Sequence, residues 1–208
     1  FQDNRVYRPY HLKHHRFTET DKDPDLALSA PFPITRKSFF RKVVRDLSGL
    51  TGYRRYSQAL LSIFKTEGNN TLDKIKKIWL KIHGFLITNA LIFGGVSIFL
   101  DWTLFFLLWW LPAFTYYSLI IRIRNIAEHC VTSGSTDFDN TRTTLTNPIV
   151  RFLMAPHRVN YHLEHHLFIM CPWYNLPKAH SMMIENGYKD KMCIAKSYRS
   201  VLMKAVSA

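Results

Sequence analysis

The sequence predicts an all-α integral membrane protein: a transmembrane helical hairpin whose flanking helical segments both face the cytoplasm. Three observations carry this prediction. Two uncharged apolar runs, residues 84–100 and 102–121, are separated only by Asp101. All the basic residues lie outside them. One histidine spacing, H-x-x-H-H, occurs once before the pair of runs and once after it. A chain of 208 residues suits a single domain.

Residues 1–30 are polar, rich in His, Arg and Asp, and carry no apolar stretch resembling a signal peptide. Pro31 and Pro33 interrupt the chain. Phe39, Phe40, Val43, Val44 and Leu47 then recur at helical spacing, with Arg41, Lys42 and Arg45 between them. That pattern fits an amphipathic helix lying on a membrane surface or packed on protein. Gly68, Asn69 and Asn70 form a loop, and Thr71 is expected to cap a helix with Leu72, Ile75, Ile78 and Trp79 on one face. A bilayer core needs roughly 20 apolar helical residues. The run at 102–121 meets this directly, and the first run meets it over 78–100, with Lys81 snorkelling to the interface. Trp79, Trp102, Tyr116 and Tyr117 fall at the expected interfaces, whereas Trp109 and Trp110 fall mid-span.

The chain carries 28 Lys+Arg against 15 Asp+Glu, a net charge of +13. Such a chain fits a nucleic-acid binder or a membrane protein with basic loops. The distribution decides. Residues 1–77 hold 16 basic residues, residues 122–208 hold 11, and Lys81 is the remaining one. By the positive-inside tendency both flanks face the cytoplasm, so the charge needs no nucleic-acid partner. Cys130, Cys171 and Cys193 form no C-x-x-C pair, and their odd number argues against a disulfide framework and for a reducing, cytosolic side.

Most of the ten histidines are clustered. His11, His14 and His15 make one H-x-x-H-H, and His162, His165 and His166 make the other. On a helix, positions i, i+3 and i+4 share a face, so each motif aims three imidazoles at one point. Imidazole suits iron, zinc, copper or nickel. Two crossings between the motifs return the chain to the side it left, so both triplets lie on one face. His129, at the end of the second run, emerges on that same side, with Asn125 one turn before it and Arg124 and Glu128 spaced as an ion pair. Seven imidazoles exceed the four ligands of an ordinary zinc site and suit two metals. Glu164, Asp21, Asp23 and Asp25 are near enough in sequence to hold the ligands' second ring N–H. Asp23-Pro-Asp25 reads equally as a turn.

Tyr7-Arg-Pro-Tyr-His-Leu-Lys-His-His15 and Asn160-Tyr-His-Leu-Glu-His-His-Leu-Phe168 resemble the second and third histidine boxes of membrane fatty acid desaturases. Asp23-Pro-Asp25 after the earlier box and Pro172-Trp-Tyr-Asn-Leu-Pro177 after the later one fit the same family. Asn125 with His129 resembles its extra ligand position, where the Asn reaches the metal through water. The resemblance spans nearly the whole chain. It implies a four-helix membrane fold under a cytosolic cap that holds a di-iron centre, with residues 78–100 and 102–121 as the third and fourth spans. His11, His14, His15, His129, His162, His165 and His166 carry over as metal ligands. His83, His157 and His180 match no box, and His180 is the nearest of them to a supporting role. The family's first box, H-x-(3,4)-H, has no counterpart before His11. The expectation is therefore a single partial domain: a cytosolic segment 1–77, a hairpin 78–121 and a cytosolic segment 122–208. Without the upstream pieces it should bind iron poorly and be inactive.

The resemblance further implies oxygen-dependent desaturation of a long-chain acyl group, presented as a lipid ester or a thioester, with two iron ions as cofactor and O2 as co-substrate. A separate ferredoxin- or cytochrome b5-type donor would supply the electrons, and the basic face suits an acidic donor. The expected location is a bacterial inner membrane, with the histidine boxes on the cytoplasmic side. Two rivals stay open at this level: a hydroxylase on the same scaffold acting on an alkane, sphingolipid, sterol or carotenoid, and a non-catalytic membrane metal- or haem-binding remnant.

Overall fold

The computed structural model describes residues 4–207 apart from 30, 133 and 135, and most of that backbone is helical. The main helices are α1 (Asn4–Phe17), α2 (Arg36–Leu47), α3 (Leu50–Phe64), α4 (Thr71–Phe99), α5 (Tyr116–His129), α6 (Pro148–Met154), α7 (His162–Leu167), α8 (Leu176–Glu185) and α9 (Tyr198–Ala205). Strands β1 (Thr143–Thr144) and β2 (Ile194–Ala195) pair in parallel. The chain divides into two compact units, one of residues 1–12 and 42–119, the other of residues 13–41 and 120–208.

In the first unit, α4 begins one residue earlier than expected. Asn70, not Thr71, is the cap, because its side-chain oxygen accepts the Asp73 N–H at 2.9 Å. Asp73 sits in the first turn and pairs with Lys77 at 2.8 Å, one turn on. Lys81 reaches the Thr66 hydroxyl at 2.9 Å. Leu72, Leu91, Ile98 and Phe99 along α4 are exposed, and no residue of the helix is buried. In water such a surface would be a large uncompensated cost.

The second apolar run is less regular than a single span. Helix from Thr103 passes through a π-helical turn at Phe106–Trp110, continues over Leu111–Phe114 and breaks at Thr115 before α5. Pro112 accounts for the distortion: it offers no N–H to the turn before it, and its ring crowds the carbonyl of Leu108. Just past Pro112, the carbonyl of Ala113 accepts from the Arg55 guanidinium at 3.0 Å. Gly52 of α3 lies so close to Phe114 that a β-carbon there would stand 2.3 Å from its carbonyl oxygen. Asn89, in the middle of α4, accepts the Trp109 indole N–H at 3.1 Å. That bond satisfies two polar groups that hydrocarbon would otherwise penalise. Thr71–Phe99 and Thr103–His129 are both long and apolar enough to cross a membrane.

The second unit is organised around α5. Ile126 and Cys130 pack with Val201 and Ala205 of α9. Ala127 packs with Ala155 and Tyr198. Leu163 of α7 packs with Met183 and Met192. All three cysteines are free. β1 ties α7 into this core, since Thr143 pairs with Ile194 on one side and bridges Tyr161 on the other. α7 has only six residues and is too short to hold a helix on its own. Its conformation is imposed by these contacts.

Candidate metal centre

Helical spacing presents the later triplet on one face of α7, and the last turns of α1 and α5 bring three more imidazoles, of His14, His15 and His129, to it. Within the second unit, ring nitrogens of His14, His129, His162 and His166 all lie within 4.8 Å of one another. His162 is the hub: its Nε2 is 2.9 Å from His129 Nε2 and 3.1 Å from His166 Nε2. His15 and His165 form a second pair, Nε2 to Nε2 at 3.1 Å. The two groups adjoin, because the His15 and His166 rings stack with centroids 4.0 Å apart. His11 belongs to the first unit, one turn before His15 on α1. There the Tyr7 hydroxyl lies 3.3 Å from its Nδ1 and the two rings stack. Asn125 stands one turn before His129 on α5 and is half-buried.

The outer nitrogens show which ring edge is available. His14 donates its Nδ1–H to Asp23 at 2.8 Å. Asp23 is itself held by the backbone N–H of Glu19 and of Asp25, so Asp23-Pro-Asp25 is a turn that also orients the His14 ring. His166 Nδ1 lies 3.2 Å from the Thr18 hydroxyl, whose own hydrogen goes to the His14 carbonyl at 2.8 Å. The imidazole must then donate, which leaves its Nε2 lone pair facing inward. His129 Nδ1 and His162 Nδ1 are buried with no hydrogen bond among the described residues, and His162 Nδ1 lies 4.0 Å from Glu128. The expected Arg124–Glu128 pair forms at 3.3 Å.

Burial, followed by the neighbouring imidazoles, holds His162 and His166 well below the usual histidine range. Neutral rings are the form in which imidazole binds metal. The donor set also fits by distance. Two nitrogens bound at about 2.0–2.1 Å on adjacent corners of an octahedron would be about 2.9 Å apart, close to the 2.9–3.1 Å observed. Asp23→Asn should weaken metal binding by about 10–100-fold, since outer partners of ligand histidines typically carry that much. A cobalt titration of the two proteins measures it, and equal affinities would refute the assignment.

Three features were not read from the sequence. Glu164, a candidate to support a box histidine, bonds His180 and Thr143 instead. At 100° per residue it lies on the face of α7 opposite His162 and His166, so the sequence already held the reason. Thr18 and Arg142 matter only through long-range closure. Buried Arg142 bonds the carbonyls of Ala127, Cys130 and Val131, at the C-terminus of α5 beside His129. His83 and His157 join no such cluster: His83 contacts the Trp79 carbonyl and His157 the Trp173 ring.

The family model described as fatty acid desaturase matches residues 2–195 of the chain. No curated protein and no solved structure matches it.

Proposed function

We propose, from the premise that the chain belongs to the fatty acid desaturase family, that the protein introduces a double bond into a long-chain acyl group. Membership implies oxidoreductase activity in general. The observation that carries the finer reading is the convergence of box and α5 histidines: His129, His162 and His166, and His15 with His165, have ring nitrogens 2.9–3.1 Å apart, and His14 lies within 4.8 Å of the first three. His14, His129, His162 and His166 would hold one iron, and His15 and His165 would serve the other, with Asn125 acting through water. When bound, the two irons supply the O2-dependent removal of two hydrogens from neighbouring unactivated methylenes.

The chain's own residues prepare that site. Asp23 and Thr18 fix the ring faces of His14 and His166. Burial of His14, His129 and His162 keeps bulk water from the inner nitrogens. The apolar helices would lie in the bilayer, which accounts for the exposed side chains of α4. The basic flanks would then put the histidines on the cytoplasmic side. The acyl substrate would be lipid-linked or a thioester, and a separate redox protein would deliver electrons.

Expressing the full-length protein in a bacterium of simple lipid profile tests the reading. Gas chromatography–mass spectrometry of the fatty acid methyl esters should show a new unsaturated acid. Iron-loaded, well-expressed protein that yields a hydroxylated product instead would overturn desaturation in favour of hydroxylation on the same scaffold.

A further inference from the structure

Behind the histidine face of α7 lies a buried polar cluster that the proposed chemistry does not use. Glu164 is completely buried at 0% exposure. One carboxylate oxygen accepts the His180 Nδ1–H at 2.5 Å, and the other accepts the Thr143 hydroxyl. His180 is carried by α8 and Thr143 by β1, so one side chain of α7 is tied to two other elements. The Tyr161 ring meets His180 edge-on, with centroids 5.3 Å apart. Burying a carboxylate is costly unless it is fully bonded. Here the bonding is complete, and it is directed away from the metal-binding face.

We propose that His180 and Thr143, acting through Glu164, are positioning residues that set the rotation of α7 and so aim His162, His165 and His166 together. A six-residue helix has little stability of its own, so its rotation must be fixed from outside. Apolar contact alone fixes it loosely. Leu163 packs on one side of the helix, while the two bonds to Glu164 have defined directions at its back. A turn of α7 by one residue would swing every imidazole by about 100° and scatter the inner nitrogens. The inference rests on the reading of those three histidines as metal ligands.

The test uses the full-length protein in detergent, as wild type, His180→Leu, His180→Gln and Thr143→Val. Amide hydrogen exchange of the metal-free protein reports the helix directly. His180→Leu should speed exchange across residues 162–168 at least about tenfold, with α5 and α9 unchanged. Cobalt affinity should fall about 10–100-fold, with altered visible bands of the bound ion. His180→Gln, which keeps a donor to Glu164, should recover most of both effects, and Thr143→Val should show a smaller loss of the same kind. Wild-type exchange and cobalt binding in His180→Leu would overturn the proposal. So would a loss spread evenly over all helices, or a Gln variant no better than Leu. If His180→Leu does not accumulate, Thr143→Val alone decides by the same criteria. Wild-type protein that takes up no cobalt would instead overturn the metal reading, while exchange in α7 still judges the clamp.

Discussion

Full-length protein carrying His162→Ala should lose its metal and its product together. His162 touches both other members of its triangle, with Nε2 at 2.9 Å from His129 and 3.1 Å from His166. No other described nitrogen is placed to replace it, and the ring it vacates is buried. Changes to outer partners alone cost about 10–100-fold in metal affinity, so removal of a central ligand should exceed about 100-fold. Product formation should fall below detection. The fold should survive, because the neighbouring Leu163 and Glu164 keep their packing and bonds. His83→Ala is the matched control. It removes an imidazole from α4 whose contact is the Trp79 carbonyl, and it should retain iron and activity. Iron content by elemental analysis and the fatty acid profile of the same cells check both variants. An active His162→Ala enzyme with full iron would rule out the proposed site.

The contrast between His162 and its supports shows what the sequence can express. The two H-x-x-H-H motifs are legible because the information is local: spacing of three and four is enough to put three rings on one side of a helix. The charge-free runs are legible for the same reason, as are α2 and the continuation of α5 to His129. The convergence of the two motifs was inferred only indirectly, from a chain that leaves and returns. The supports are another matter. Thr18 becomes a partner of His166 across 148 residues, and His180 becomes a partner of Glu164 through the fold of β1 and α8. No local pattern marks them. Two further details are local enough to lie in the sequence. Asn70 is as good a cap as Thr71, and the position of Asp73 decides between them. Pro112 inside an apolar run signals a distorted span, which the π-helical turn confirms.

Arg142 belongs to the illegible class, and its replacement should have the largest effect on stability. In the sequence it is one of 11 basic residues after position 121. In the fold it is buried, and its guanidinium serves the end of α5. One terminal nitrogen lies 3.2 Å from the Ala127 carbonyl, and the other lies 2.9 Å from Cys130 and 2.8 Å from Val131. These are carbonyls that a helix end leaves unpaired, and a cation there also meets the negative end of the helix dipole. Val131, where the chain turns away, has a positive φ of 55°, an unusual conformation for a β-branched residue. Arg142 thus holds both the last turn of α5 and the strained exit from it, and His129 stands in that turn. Arg142→Leu takes the guanidinium from the Cys130 and Val131 carbonyls and leaves Ala127 with only the Thr144 hydroxyl at 3.4 Å, at a cost of about 2–4 kcal/mol. Denaturant unfolding in detergent should show that loss. Amide exchange should rise first over residues 126–131, and metal affinity should fall with it as His129 leaves its place. Arg142→Lys keeps the charge but not the planar fork, and should fall between the two. If Arg142→Leu matches wild type in stability, solvent or a neighbouring group must already satisfy those carbonyls, and the buried guanidinium does not hold the end of α5.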